Sequence, residues 1–109
     1  MKKTLKIGEK DIELLSNART SIYYTQLFHK DFFKIALTAF STEIPPVNET
    51  KEIAFIMNKQ AEKADFNSIS EEDFYNWLEQ FEELDMVNAS DQIVGVYLGN
   101  TEGSAESKK

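Results

Sequence analysis

Leu5-Lys6-Ile7-Gly8-Glu9-Lys10-Asp11-Ile12-Glu13-Leu14 alternates apolar and charged residues on both sides of a glycine-led turn. Leu5 and Ile7 flank Lys6, Ile12 and Leu14 flank Glu13, and Gly8-Glu9-Lys10-Asp11 supplies the turn chemistry. A period of two on each arm predicts a β-hairpin with one apolar face. Two short strands are marginal alone in water, so that face must lie on helices. The expected fold class is therefore α+β, mainly α: an N-terminal hairpin packed on a bundle of about four to five short helices.

From Thr20 the apolar period becomes helical. Ser16, Asn17 and Thr20 are candidate N-caps, and Ile22, Tyr23, Leu27 and Phe28 make the first apolar surface. His29-Lys30-Asp31 reads as a break, with Asp31 capping a second helix that runs to about Phe40. Phe32, Phe33, Ala36, Leu37 and Phe40 wrap far round that helix, which predicts burial on more than one side. Pro45-Pro46 marks the connector between Ser41 and Thr50. Asn48 is the expected cap of a third helix reaching about Asp65, with Ile53, Ile56, Met57, Ala61 and Ala64 at helical spacing.

The strongest start signal comes next. Ser70 stands three residues before Asp73 in a capping-box pattern, and Ile69 and Phe74 form a hydrophobic staple around it. Glu71, Glu72 and Asp73 meet the positive end of the helix dipole. Behind them Phe74, Trp77, Leu78 and Phe81 repeat at i, i+3, i+4 and i+7. A last helix is expected from about Ala89 to Leu98, using Ile93, Val94, Tyr97 and Leu98, with Gly99 as its stop. Residues 1–99 thus form one domain, and Asn100 to Lys109, which lacks any large apolar residue, is expected to be a disordered tail.

The chain has 109 residues, too few for a second sizeable domain. Folding at this size buries roughly two-thirds of the unfolded surface, enough for a self-supporting core. There is no cysteine, which removes disulfide scaffolds, thiolate metal clusters and thiol nucleophiles, and fits a reducing cytoplasm. No apolar run approaches the roughly 20 residues that span a bilayer, so no membrane association is expected. The basic start does not lead into the apolar core of a signal peptide, because Lys6, Glu9 and Lys10 interrupt it.

The net charge of −7 is unevenly spread. Residues 1–63 hold 10 Lys+Arg against 8 Asp+Glu, whereas residues 64–107 hold 11 acids and no base. The acidic segment repels phosphate, which disfavours nucleic acid as a partner. It reads either as a solvated helix face or as a docking face for a basic partner, such as the basic half of another copy.

Little in the sequence points to chemistry. His29 is the single histidine and has no cysteine to join it in a zinc site or a nucleophile–base couple. Glu71, Glu72 and Asp73 have a sufficient explanation in helix capping. Phosphate-loop, dinucleotide and EF-hand motifs are absent, and Arg19 is the single arginine. The expectation is a binding or assembly protein without enzymatic activity, metal or cofactor.

Three blocks of sequence narrow that class. Ile12-Glu13-Leu14, Asn17-Ala18-Arg19-Thr20, Tyr24 and Phe28-His29-Lys30-Asp31 form the first. Ile53-Ala54-Phe55-Ile56-Met57-Asn58-Lys59-Gln60-Ala61 is the second, and Phe74-Tyr75-Asn76-Trp77-Leu78-Glu79-Gln80-Phe81 the third. In order and spacing over residues 7–98 they resemble the tail assembly chaperones of long-tailed phages and prophages of Gram-positive bacteria. The sequence departs from that pattern at His29, where the family has glycine, and at Tyr97, where tryptophan is usual. The first departure leaves the build of that turn open.

The resemblance implies a protein that binds the tape measure protein and keeps it soluble until the tail tube polymerises around it. It implies action in the cytoplasm of the bacterial host and absence from the mature virion. It also implies many copies on one partner, and a longer frameshifted product through which the tail tube protein is met; this chain resembles the shorter product. A mildly basic front and an acidic rear would let copies associate head to tail. A groove between helices would take a partner helix by its apolar anchors. Phe33, Leu37, Phe55 and Met57 lie off the main stripes of their helices and are the candidate partner-binding residues, although core and groove share one apolar code. The alternative reading is a small acidic mimic or regulator that occupies a nucleic-acid-binding protein.

Overall fold

The computed structural model describes residues 1–39 and 46–99. The anticipated Phe40, the connector up to Pro45 and the tail from Asn100 lie outside the described residues. Two strands, β1 (Lys2–Ile7) and β2 (Lys10–Leu15), are followed by five helices: α1 (Thr20–Phe28), α2 (Phe32–Ala39), α3 (Val47–Ala61), α4 (Glu71–Leu78) and α5 (Glu83–Tyr97). The architecture is the α+β, mainly α arrangement that the alternation in the hairpin demands.

The strands pair antiparallel with Leu5 opposite Ile12. Leu5, Ile7, Ile12 and Leu14 all point into the core, as their alternation requires. The turn is tighter than the four residues expected, because Lys10 and Asp11 already pair with Ile7 and Lys6. Only Gly8 and Glu9 form the loop, and the positive φ of 64° falls on Gly8 alone, the pattern of a type II′ hairpin. A side chain at Gly8 would also collide with Asp85 at the start of α5, whose Oδ2 lies 2.5 Å from where a Cβ would stand.

Helix α3 is the hub of the molecule. Every residue from Ile53 to Asn58 is buried, so the helix is enclosed all round. It packs against β2, α1, α2, α4 and α5, while α5 also lies against β1. Aromatic rings thread these elements together, running from Tyr97 through Phe32, Tyr24, Phe28, Phe74, Phe55 and Trp77 to Phe81. Neighbouring rings sit 4.8–5.5 Å apart, mostly edge to face, the geometry their quadrupoles prefer.

The helix ends obey identifiable chemistry. Ser70 Oγ accepts the Asp73 N–H and the Asp73 carboxylate accepts the Ser70 N–H, completing the capping box at α4. Asp31 accepts the Phe33 N–H at 3.0 Å and so caps α2. Three helices close with a left-handed residue: α1 at His29, α3 at Lys63 and α5 at Gly99. After α3 the Lys63 N–H reaches Gln60 O and the Ala64 N–H reaches Lys59 O, a Schellman arrangement.

Several boundaries differ from the sequence reading. α3 starts directly after Pro46, whose fixed φ suits a helix entry, and not at an Asn48 cap. The Schellman turn stops it at Ala61, short of Asp65. α5 starts at Glu83 and not at Ala89, because Met86 and Ala89 extend the buried face of Ile93 and Val96 one and a half turns backward. In α1 the core side chains are Phe28, as expected, and Tyr24, which is fully buried, whereas Ile22 is 56% exposed.

Trp77 is 8% exposed and its Nε1 donates to Asn58 Oδ1 at 3.0 Å, while Asn58 Nδ2 donates to the Glu13 carbonyl. Replacing Trp77 by Ala removes a buried ring and strands the Asn58 oxygen. Urea denaturation is expected to show a loss of about 3–5 kcal/mol. A change under about 1 kcal/mol would contradict this core assignment.

Candidate partner-binding surface

The turn between α1 and α2 sets how α2 is presented. His29 holds φ 61° and its N–H bonds Thr25 O at 2.8 Å, so a side-chain-bearing residue adopts the conformation that glycine takes at no steric cost. The turn is thus of the ordinary left-handed kind, occupied by histidine. Lys30 comes next and lies between two carboxylates of α3, 3.1 Å from Glu52 and 3.5 Å from Glu49. Glu52 also accepts the Tyr24 hydroxyl at 2.7 Å. These contacts clamp the α1–α2 turn onto α3.

Clamped in this way, α2 buries one side and exposes the other. Phe32 and Ala36 enter the core, Phe32 edge-on to Tyr97 and Tyr24. Phe33 and Leu37, one turn apart, remain 52% and 51% exposed. The expectation of burial on more than one side of this helix is corrected within the described residues, for the outer side carries an apolar pair open to solvent. Phe55 and Met57 are corrected as well. Both are fully buried in α3, where Phe55 packs edge-on to Phe74 and Trp77, so neither is available to a partner. Of the four candidates, the structure brings together only Phe33 and Leu37.

A second surface feature has no counterpart in the sequence reading. Tyr23 of α1 stacks on Phe66 of the α3–α4 connection, with ring centres 4.0 Å apart and planes 5° from parallel. A recess opens on each side of this stack. One is lined by Gln26, Leu27 and Ile69, the other by Asn17, Arg19, Gln60 and Lys63. Two residues that line the second, Asn17 and Gln60, belong with Thr20 to a closed hydrogen-bond ring. Thr20 Oγ1 donates to Gln60 Oε1 at 2.6 Å, Gln60 Nε2 donates to Asn17 Oδ1 at 3.2 Å, and the Asn17 N–H donates to Thr20 Oγ1 at 2.9 Å. Asn17 Oδ1 also accepts the Arg19 N–H, which fixes the backbone there. The sequence holds one signal for this place: Arg19 is its single arginine, and Lys63 is the last base before the base-free segment.

Ionisation supports the clamp. Burial, reinforced by the hydrogen bond and negative charge of Glu52, pushes the Tyr24 phenol well above its ordinary range. Burial alone would lower the Lys30 ammonium, but Glu52 and Glu49 outweigh it and hold it above its usual value. Burial and then Asp31 raise Tyr97, against a small opposing hydrogen bond with Ser21. Among the described residues no group of three or more His, Cys, Asp and Glu is placed to hold a metal ion, and no helix is long and apolar enough to cross a membrane. Compared with family models, curated proteins and solved structures, the chain matches none.

His29→Gly relieves a left-handed side-chain residue without touching a core contact, and is expected to stabilise the domain by about 0.5–1 kcal/mol in chemical denaturation. Alkaline pH is expected to act in the other direction. Tyr24, Lys30 and Tyr97 all have folded pKa values above their ordinary ones, so the unfolded chain loses these protons first. Their stabilisation is complete below about pH 10 and falls as pH rises beyond it. Urea midpoints between about pH 8 and 11 are expected to show this decline, shallower in Tyr24→Phe.

Proposed function

We propose that the protein is a tail assembly chaperone that binds the tape measure protein and keeps it soluble until the tail tube polymerises around it. The observation that carries this reading is how the three resembling blocks are wired to one another. Asn17 and Thr20 of the first bond Gln60 of the second, and Trp77 of the third bonds Asn58 of the second. The residues in which the chain resembles the family are therefore those that hold its fold together, which is what a shared fold requires.

Phe33 and Leu37 suit the task. They stand at i and i+4 on a helix whose inner side is anchored by Phe32 and whose entry is clamped by Lys30. A long helical partner rich in apolar surface aggregates when left exposed, and a small acidic domain that covers it confers solubility. The activity is stoichiometric masking in the cytoplasm of the bacterial host, without enzymatic turnover, metal or cofactor. The protein leaves before the virion is mature.

The test is co-expression with the tape measure protein of the same phage or prophage. The wild-type chain is expected to keep that partner soluble and to co-purify in many copies, with detergent releasing it more readily than salt. Phe33→Asp with Leu37→Asp is expected to keep the wild-type melting temperature and lose the partner. Absence of binding by the wild type, with tight binding to a DNA-binding protein instead, would replace the chaperone with the acidic mimic.

A further inference from the structure

The segments that meet at the Tyr23–Phe66 stack carry charges of both signs. On one side stand Arg19 and Lys63, both exposed and neither in an ion pair or side-chain hydrogen bond among the described residues. On the other side Ile69 leads directly into the first turn of α4, where Glu71 and Glu72 are exposed and likewise unpaired among the described residues. The centre is apolar: Tyr23, Leu27, Phe66 and Ile69 are all half-buried and packed on the core from outside.

Lys63 adds a separate observation. It holds a left-handed conformation at the C-terminal turn of α3, with φ 61°, where glycine would be free of strain. The bonds that close this turn are backbone to backbone, so they make no use of the lysine side chain. A side chain kept in a sparsely populated conformation, unpaired, and lining a recess beside an unpaired arginine marks a place where that charge is used.

We propose that this face is where two copies of the chain pair about a two-fold axis, the Arg19–Lys63 side of each meeting Glu71 and Glu72 of the other across abutting Tyr23–Phe66 stacks. A two-fold rotation about the centre of the contact brings each side of one stack against the opposite side of the other. Positive then faces negative twice, and apolar faces apolar once. A surface that carries both signs around an apolar centre is self-complementary in this way, and the contact closes. The basic front and acidic rear seen in the sequence thus meet in a pair and not in an open chain. An acidic partner of another kind would satisfy Arg19 and Lys63 but leave Glu71 and Glu72 unanswered. The contact is independent of the tape measure, so its failure and the failure of the chaperone reading are separately visible.

The experiment uses the purified full chain alone, with mass followed by sedimentation equilibrium across concentration. Wild type is expected to dimerise. Arg19→Glu with Lys63→Glu, and separately Glu71→Lys with Glu72→Lys, are each expected to weaken pairing by roughly tenfold or more, since each sets like charges against each other. Mixed in equal amounts, the two variants are expected to pair with each other, because one then carries acids on both sides and the other bases on both, so opposite signs meet on both sides of the contact while each variant alone has none. Arg19→Gln with Lys63→Gln, which adds no repulsion, is expected to weaken pairing less while keeping the wild-type melting temperature. A wild type that stays monomeric at high concentration, a dimer indifferent to these changes, or a mixture that pairs no better than either variant alone when both are folded would overturn the proposal. So would a monomeric wild type that instead binds a glutamate-rich peptide through Arg19 and Lys63.

Discussion

Because α3 is buried on all sides from Ile53 to Asn58, the side-chain amides there and at Gln60 have little water to turn to, and the rest of the chain is arranged to answer them. Asn58 and Gln60 are the buried amides on that helix. Asn58 is satisfied by the Glu13 carbonyl of β2 and the Trp77 indole of α4; Gln60 is satisfied by Thr20 and Asn17 at the start of α1. Four segments far apart in sequence are thereby held in register by two side chains. An unsatisfied buried amide costs on the order of 1–3 kcal/mol, so the apolar packing around α3 and these bonds select the same arrangement.

The sequence disclosed most clearly what local physics decides. Alternation in the hairpin, the Ser70–Asp73 cap, Asp31 and the Gly99 stop depend on neighbours a few residues away, and each is found where the pattern placed it. What it hid depends on distant partners. Phe55 and Phe33 are the same residue type just off the apolar stripe of a helix, yet one is enclosed by Phe74 and Trp77 and the other meets solvent. Nothing local separates them. The early start of α5 is obscure in sequence because its inner face there is built from Met86, Ala89 and Ser90, small or irregular groups that dilute an apolar period. The Tyr23–Phe66 stack is invisible for a similar reason, since it joins a helix to an irregular segment that periodicity does not describe.

Stability and use compete at the helix ends. Glycine closes α5, but His29 and Lys63 close α1 and α3 in the same left-handed conformation. Each carries a steric cost of about 1–2 kcal/mol that glycine would avoid. For a domain of this size such sums are a noticeable share of the whole. The two positions flank different surfaces, one leading into the exposed Phe33 and Leu37, the other lining the cationic recess.

α5 lies against β1, and Ser16 Oγ donates to Val96 O at 2.6 Å, so segments 80 residues apart are joined. That contact orders events during synthesis. The hairpin leaves the ribosome before all five described helices, and the helix that covers β1 is the last of them. Until α5 emerges, Leu5 and Ile7 lack that cover, and the nascent chain carries an open apolar edge while α1 to α4 are made. At about 5–20 residues per second that interval is several seconds.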